Sequence, residues 1–141
     1  MADFTHLKTS KIDNVEFTFY AVVGEPTLLV KFAGESNKPY FNEMLKVAEK
    51  HRMRRAKLSL ETIKTLRERD RELFPKYVVT GWRGVKDANG ADVAFSREEC
   101  EGFLRALDDD MFDDLRKFCD DPSNFREEIN VEAAAGNSQT A

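Results

Sequence analysis

Between Val78 and Ser96 the chain reads Val-Val-Thr-Gly-Trp-Arg-Gly-Val-Lys-Asp-Ala-Asn-Gly-Ala-Asp-Val-Ala-Phe-Ser, and no other stretch narrows its fold so far. Asn89-Gly90 between two short apolar runs signals a hairpin. Both central positions of a type I′ turn need φ > 0, which Asn and Gly reach cheaply. Ser96-Arg-Glu-Glu99 has the spacing of a capping box, in which Ser96 accepts from a free amide of the first turn and Glu99 reaches back. The stretch therefore predicts strand, turn, strand and helix. Gly81 and Gly84 flank Trp82, the sole tryptophan, and let backbone pass close to a large ring or take φ > 0. Trp82 has two readings: a core anchor, favoured by the nearby Val79, Val85, Val93 and Phe95, or an aromatic anchor on a partner surface. Asp87 reads as a turn former.

The remaining elements follow from periodicity. Residues 1–13 show no period. Val15 to Tyr20 begins with alternation and is rich in strand formers, Gly24-Glu25-Pro26 breaks the run, and Thr27 to Phe32 resumes it, predicting a first hairpin. Ser36 or Asn37 caps a helix with Pro39 near its first turn. Its broad apolar face is Tyr40, Phe41, Met44, Leu45, Val47 and Ala48. A second helix starts at Ser59, carries Leu60, Ile63, Leu66, Leu73 and Phe74, and is expected to stop at Pro75. The alternating charges Arg67 to Glu72 read as a solvent-facing surface. Cys100, Phe103, Leu104 and Leu107 recur at i, i+3, i+4, i+7 on a third helix. Asp108-Asp-Asp110 caps a fourth, with Met111, Phe112, Leu115, Phe118 and Cys119 on one face. Asp121 and Pro122 open a last short helix to about Val131, where Phe125 and Ile129 can pack. The fold class is α+β: a small antiparallel sheet from two hairpins packed with about five helices. Residues 1–131 form one domain and 132–141 a flexible tail.

Charge is divided along the chain. Between 46 and 76 eleven Lys and Arg face five acids, net +6; between 98 and 121 three face ten, net −7. Such a dipolar chain pairs its halves internally or offers opposite charges to neighbours. The run Lys50-His-Arg-Met-Arg-Arg-Ala-Lys57 holds the candidate partner-binding cations Lys50, Arg52, Arg54, Arg55 and Lys57. A phosphate-binding strip, a solvated helix end and a site for an acidic protein all suit it. The solvated end is favoured over nucleic acid, because the protein is acidic overall and no aromatic side chain interleaves to stack bases.

The inventory argues against catalysis. His6 and His51 are the only histidines, no Gly-rich phosphate loop is present, and the carboxylates lack a partnered acid and base. Paired Cys or His for zinc and the alternating oxygen ligands of a calcium loop are also missing, so no metal or cofactor is expected. Cys100 and Cys119 fall on predicted helices without an export signal, so reduced, buried thiols are expected. No apolar run is long enough to span a membrane, which points to a cytoplasmic soluble protein.

Several motifs resemble the tail assembly chaperones of long-tailed, siphovirus-like bacteriophages. They are Val78-Val-x-Gly-Trp-x-Gly-Val-x-Asp-x-x-Gly90, Val93-x-Phe-Ser96 with its acidic helix, Asp121-Pro-x-Asn-Phe125, and Asn37-x-Pro-Tyr-Phe41. The structural motif residues so marked are Gly81, Trp82, Gly84, Val85, Asp87, Asn89, Gly90, Phe95, Ser96, Glu99, Asp121, Pro122, Asn124 and Phe125. Ala94 departs from the pattern, standing where the family implies proline. The resemblance implies transient binding to the tape measure protein, recruitment of tail tube subunits, self-association along the partner, action in the host bacterial cytoplasm and absence from the mature virion. Two other classes stay open: a structural virion protein of tail or capsid, and a small nucleic-acid-binding regulator using Lys50 to Lys57.

Overall fold

The computed structural model describes residues 2–8, 10–53 and 60–127, with backbone alone for 51–53. Three strands, β1 (Val15–Thr18), β2 (Thr27–Val30) and β3 (Val79–Arg83), form an antiparallel sheet in the order β1-β2-β3. Among the described residues four α-helices accompany it: α1 (Lys38–Met53), α2 (Leu60–Tyr77), α3 (Arg97–Ala106) and α4 (Asp109–Asp120). The class is α+β, as the sequence pattern implies.

Register explains which face is buried. Phe17 pairs with Leu28 and Leu28 with Trp82, so these three side chains share a face, and all belong to the core. The opposite face carries the Glu16–Arg83 ion pair at 2.8 Å and the Thr18–Thr27 hydroxyl pair. This is the period-2 alternation expected of a sheet packed on one side. Onto the apolar face pack Leu73 and Phe74 of α2, Cys100 and Leu104 of α3, and Phe112, Leu115 and Cys119 of α4, all buried. Phe17, Phe19, Phe103, Phe118 and Phe125 join through edge or tilted ring contacts with centroids 5.0–5.8 Å apart. Both cysteines are buried free thiols in this core.

Several expectations change. Pro75 does not stop α2, which runs on to Tyr77. Proline there forgoes only its own amide bond near the helix end, Val78 N–H still donates to Phe74 C=O at 3.0 Å, and burial of Phe74 and Pro75 holds the turn. The Asn89-Gly90 turn is not type I′, because Gly90 (φ +81°) is left-handed and Asn89 is not. Asp87 organises it: its carboxylate accepts from Asn89 and Ala91 amides, and its backbone bonds Gly90 and Ala91, giving a three-residue loop ending on a left-handed glycine. The returning chain forms no strand of the sheet and pairs through the Asp87–Ala91 bond, the Lys86–Asp92 bridge and the Val93 amide to Val85. The segment after Asp121 is a 3₁₀ turn, Pro122–Phe125, rather than a helix to Val131. Arg126 then goes extended and bridges Lys11, which also gives the unpatterned start a fixed place beside its own 3₁₀ turn, Thr5–Leu7. Ile129, Val131 and the tail expected over 132–141 lie outside the described residues.

Candidate functional site

Helices α1 and α2 form an arm clamped at one end. Asn37 precedes α1 and its backbone carbonyl accepts from Phe41, while its side-chain amide donates to Phe32 C=O at 3.0 Å and Tyr77 C=O at 2.9 Å. One residue thus ties the start of α1 to the end of β2 and the end of α2. Three residues on, the Tyr40 hydroxyl donates to Asp70 at 2.7 Å, and Arg116 Nε of α4 donates to the other Asp70 oxygen at 2.7 Å. Tyr40 also meets Phe74 edge-on, and Phe74 meets Phe112. The pairs 40–70 and 43–69 run antiparallel along the two helices.

The clamp is the part that the alternating-charge reading of Arg67 to Glu72 missed. Asp70 and Arg71 are each 3% exposed, not solvent-facing. Arg71 donates to the carbonyls of Leu104 and Leu107, pairs with Asp109 at 2.7 Å and lies over the Phe112 ring at 4.8 Å. These bonds serve the carbonyls at the end of α3, which helix geometry leaves without intrahelical donors. Arg67 forks onto Asp113 at 2.8 and 3.0 Å. Burial pushes the Asp70 carboxyl above the usual carboxylate range against the pull of Arg116 and Tyr40, and burial with the Asp70 charge drives the Tyr40 phenol far up. A signal existed: Asp70 lies at i−3 and i−4 from Leu73 and Phe74, on the buried stripe itself.

Away from the clamp the arm is more open, with Met44 half-buried against the core. Among described residues 41–50 and 60–69 no side chain is buried. The broad apolar face read for α1 is therefore buried only at Tyr40, and Leu45 (49%), Leu60 (68%) and Ile63 (39%) are exposed. At 1.5 Å rise per residue the two helices are about 24 and 27 Å long, and among the described residues no side chain is buried on α1 after Tyr40 or on α2 before Asp70. Lys50 is exposed on the same part of α1, and Arg52 lies in its last turn. Arg54, Arg55 and Lys57 lie outside the described residues.

The motif residues gather elsewhere, at two corners of the sheet. Trp82 is half-buried rather than largely buried: its indole Nε1 donates to Val93 C=O at 2.8 Å, and its ring meets Phe95 and Phe103 edge-on. Val85 is buried beside it. Gly84 (φ +77°) faces Gly24 (φ +86°), and a Cβ on either would come within 3 Å of the other's carbonyl. Gly81 has ordinary strand backbone opposite Leu29, so only Gly84 fits the left-handed reading. Ser96 Oγ accepts from Glu99 N–H at 3.0 Å, the forward half of the capping box. At the second corner Asp121 accepts from Ser123, Pro122 takes the first position, Asn124 donates to Phe118 C=O, and Phe125 is buried. All of these except the half-open Trp82 ring act on backbone or core. They build the platform on which the arm stands.

Chemistry at a reacting centre finds little to work with among the described residues. Burial pushes the Cys100 thiol up to about 12 and Cys119 higher still, so neither is a thiolate near neutrality. Among the described residues no group of three His, Cys, Asp or Glu side chains is placed to hold a metal ion, and no helix is long and apolar enough to cross a membrane. No curated protein and no solved structure matches the chain. A family model, described as YdaY prophage protein, matches residues 35–137. That span takes in the Asn37 clamp, both arm helices, the Trp82 corner and the Asp121 turn, and on it the chain belongs to the YdaY prophage protein family and is phage-derived.

Proposed function

We propose that this prophage protein is a tail assembly chaperone: a non-catalytic binding protein that shields the long helical tape measure protein and brings tail tube subunits to it. The observation that carries the reading is the arm, whose base is fixed by buried hydrogen bonds while Leu45, Leu60 and Ile63 stay open. A chain gains nothing in its own stability from such a face; exposed apolar stripes on paired helices are the surface that receives another helix. The phage family, the motifs that resemble those of tail chaperones and this surface together support the reading. Host cytoplasm is the place where such a complex would act, before the virion is complete.

Co-expression with the tape measure protein of the same phage tests the reading. The two are expected to co-purify, and the tape measure to stay in solution only with its partner. A tape measure equally well behaved alone, never captured by this chain, would sink the proposal. Recovery of the chain in purified particles would favour a structural virion protein instead.

A further inference from the structure

We infer that Asn89 is a site of spontaneous deamidation, held shut in the folded protein by the Asp87 turn, and that its modification loosens the Trp82 corner. Asn89-Gly90 is the one Asn-Gly pair in the chain. Residues 87–91 are all exposed, and among the described residues the Asn89 side-chain amide has no hydrogen-bond partner. In deamidation the Gly90 backbone nitrogen, after giving its proton to water, attacks Cγ of Asn89. The new C–N bond closes a succinimide ring and the side-chain nitrogen leaves as ammonia. Water then opens the ring at either carbonyl, giving aspartate or isoaspartate, so a water is consumed for each ammonia released. Glycine hinders the attack least, having no Cβ beside the nitrogen.

The turn opposes that attack. Gly90 N–H, the group that must be deprotonated, donates to Asp87 C=O at 3.0 Å. The Asp87 carboxylate takes the amides on either side, Asn89 at 2.8 Å and Ala91 at 3.0 Å, and Asp87 N–H donates to Ala91 C=O at 2.9 Å. With its proton directed at Asp87 C=O, the Gly90 nitrogen is not free to shed it and rotate toward Asn89 Cγ, so reaction waits on opening of the turn. Isoaspartate would route the main chain through the former side chain, adding a methylene between the two amides that Asp87 holds. Two residues past Ala91 lies Val93, whose amide bonds Val85 and whose carbonyl takes the Trp82 indole. A lengthened turn therefore pulls on the partner of the sole tryptophan.

The test compares the folded full chain, the same chain in guanidinium chloride and a synthetic peptide of residues 84–94 at one mildly alkaline pH, with isoaspartate at position 89 measured by peptide mapping. Deamidation in the folded chain is expected to be about tenfold slower, or more, than in the peptide or the unfolded chain, because opening the turn gives up several hydrogen bonds. Asp87→Ala removes both bonds to the carboxylate and should recover most of that difference, while Asp87→Asn, whose amide oxygen can still accept, should recover less; circular dichroism verifies that both variants fold. In chain modified while unfolded and then refolded, Trp82 emission should move to longer wavelength. Equal rates in the folded chain and the peptide overturn the inference whatever the variants do. So does a folded Asp87→Ala chain that deamidates no faster than the parent, since Asp87 then guards nothing. Unmoved emission in the refolded, modified chain overturns the reach to Trp82.

Discussion

At single residues, what the backbone demands and what the side chain demands can be told apart among the glycines. Gly84 sits at φ +77°, and a Cβ there would stand 2.9 Å from Gly24 O and 3.4 Å from Glu25 O. Two penalties coincide, a left-handed conformation and a collision with backbone that cannot swing away. Gly84→Ala is expected to cost about 2 kcal/mol. Gly102 has the opposite surroundings, inside α3 with nothing within 4 Å of the place an added methyl group would take. There glycine only weakens a helix, so Gly102→Ala should add about 0.5–1 kcal/mol. Urea unfolding of the two variants checks the pair, with a lowered midpoint for the first and a raised one for the second. A Gly84→Ala midpoint that does not fall would mean that the Gly24–Gly84 approach does not constrain this corner.

At the scale of elements, α2 is two helices in energetic terms. Its buried residues, Asp70, Arg71, Leu73, Phe74 and Pro75, all lie in its C-terminal half. Leu73→Ala is expected to cost about 3 kcal/mol, since it empties a site that is 1% exposed. Leu60→Ala and Ile63→Ala should each change stability by no more than about 0.5 kcal/mol. Thermal or urea unfolding measures all three, and core-sized losses at Leu60 or Ile63 would show that the arm's stripe is already covered. This division was hidden in the sequence, where Leu60, Ile63, Leu66, Leu73 and Phe74 fall on one side of the helix across the charged run Arg67 to Glu72. Periodicity tells which side of a helix is apolar but not how far along it a partner extends. The strands, Ser96 and the core stripe of α3 could be read because their signals are local. The spacing of Asp70 from Leu73 and Phe74 signalled its burial, but its partners could not be read, because Tyr40, Asp70 and Arg116 are joined only by tertiary packing. Asn89-Gly90 was misread in kind: the pair marks a turn, but Asp87 supplies the carboxylate that chooses which one.

Across the whole molecule, part of the divided charge joins α2 to α4. Arg67 and Arg116 both hold Asp113, at 2.8 and 3.0 Å, while Asp70 takes Arg116 from the other side. The two carboxylates respond to acid in opposite directions. The hydrogen bonds from Arg67, with those from Arg116, hold Asp113 below its ordinary 3.8 despite some burial. Its contribution is complete above that value and is lost as pH falls through the lower folded-state pKa. Asp70 is raised by burial, so its ionised form costs stability, a cost that grows as pH rises through its folded-state pKa and is absent well below 3.8. Asp113→Asn removes the first effect and leaves the second. Near neutral pH the variant should be less stable by about 1 kcal/mol, because Asn cannot serve two guanidinium groups as a charged acceptor. As pH falls below 3.8 the gap should close, since a protonated Asp113 and an asparagine then differ little. Denaturation followed from neutral pH down through the carboxylate range reads the convergence directly. A gap that stays constant with pH would assign the loss to packing at the α2–α4 junction and leave the charge pairing without a share in it.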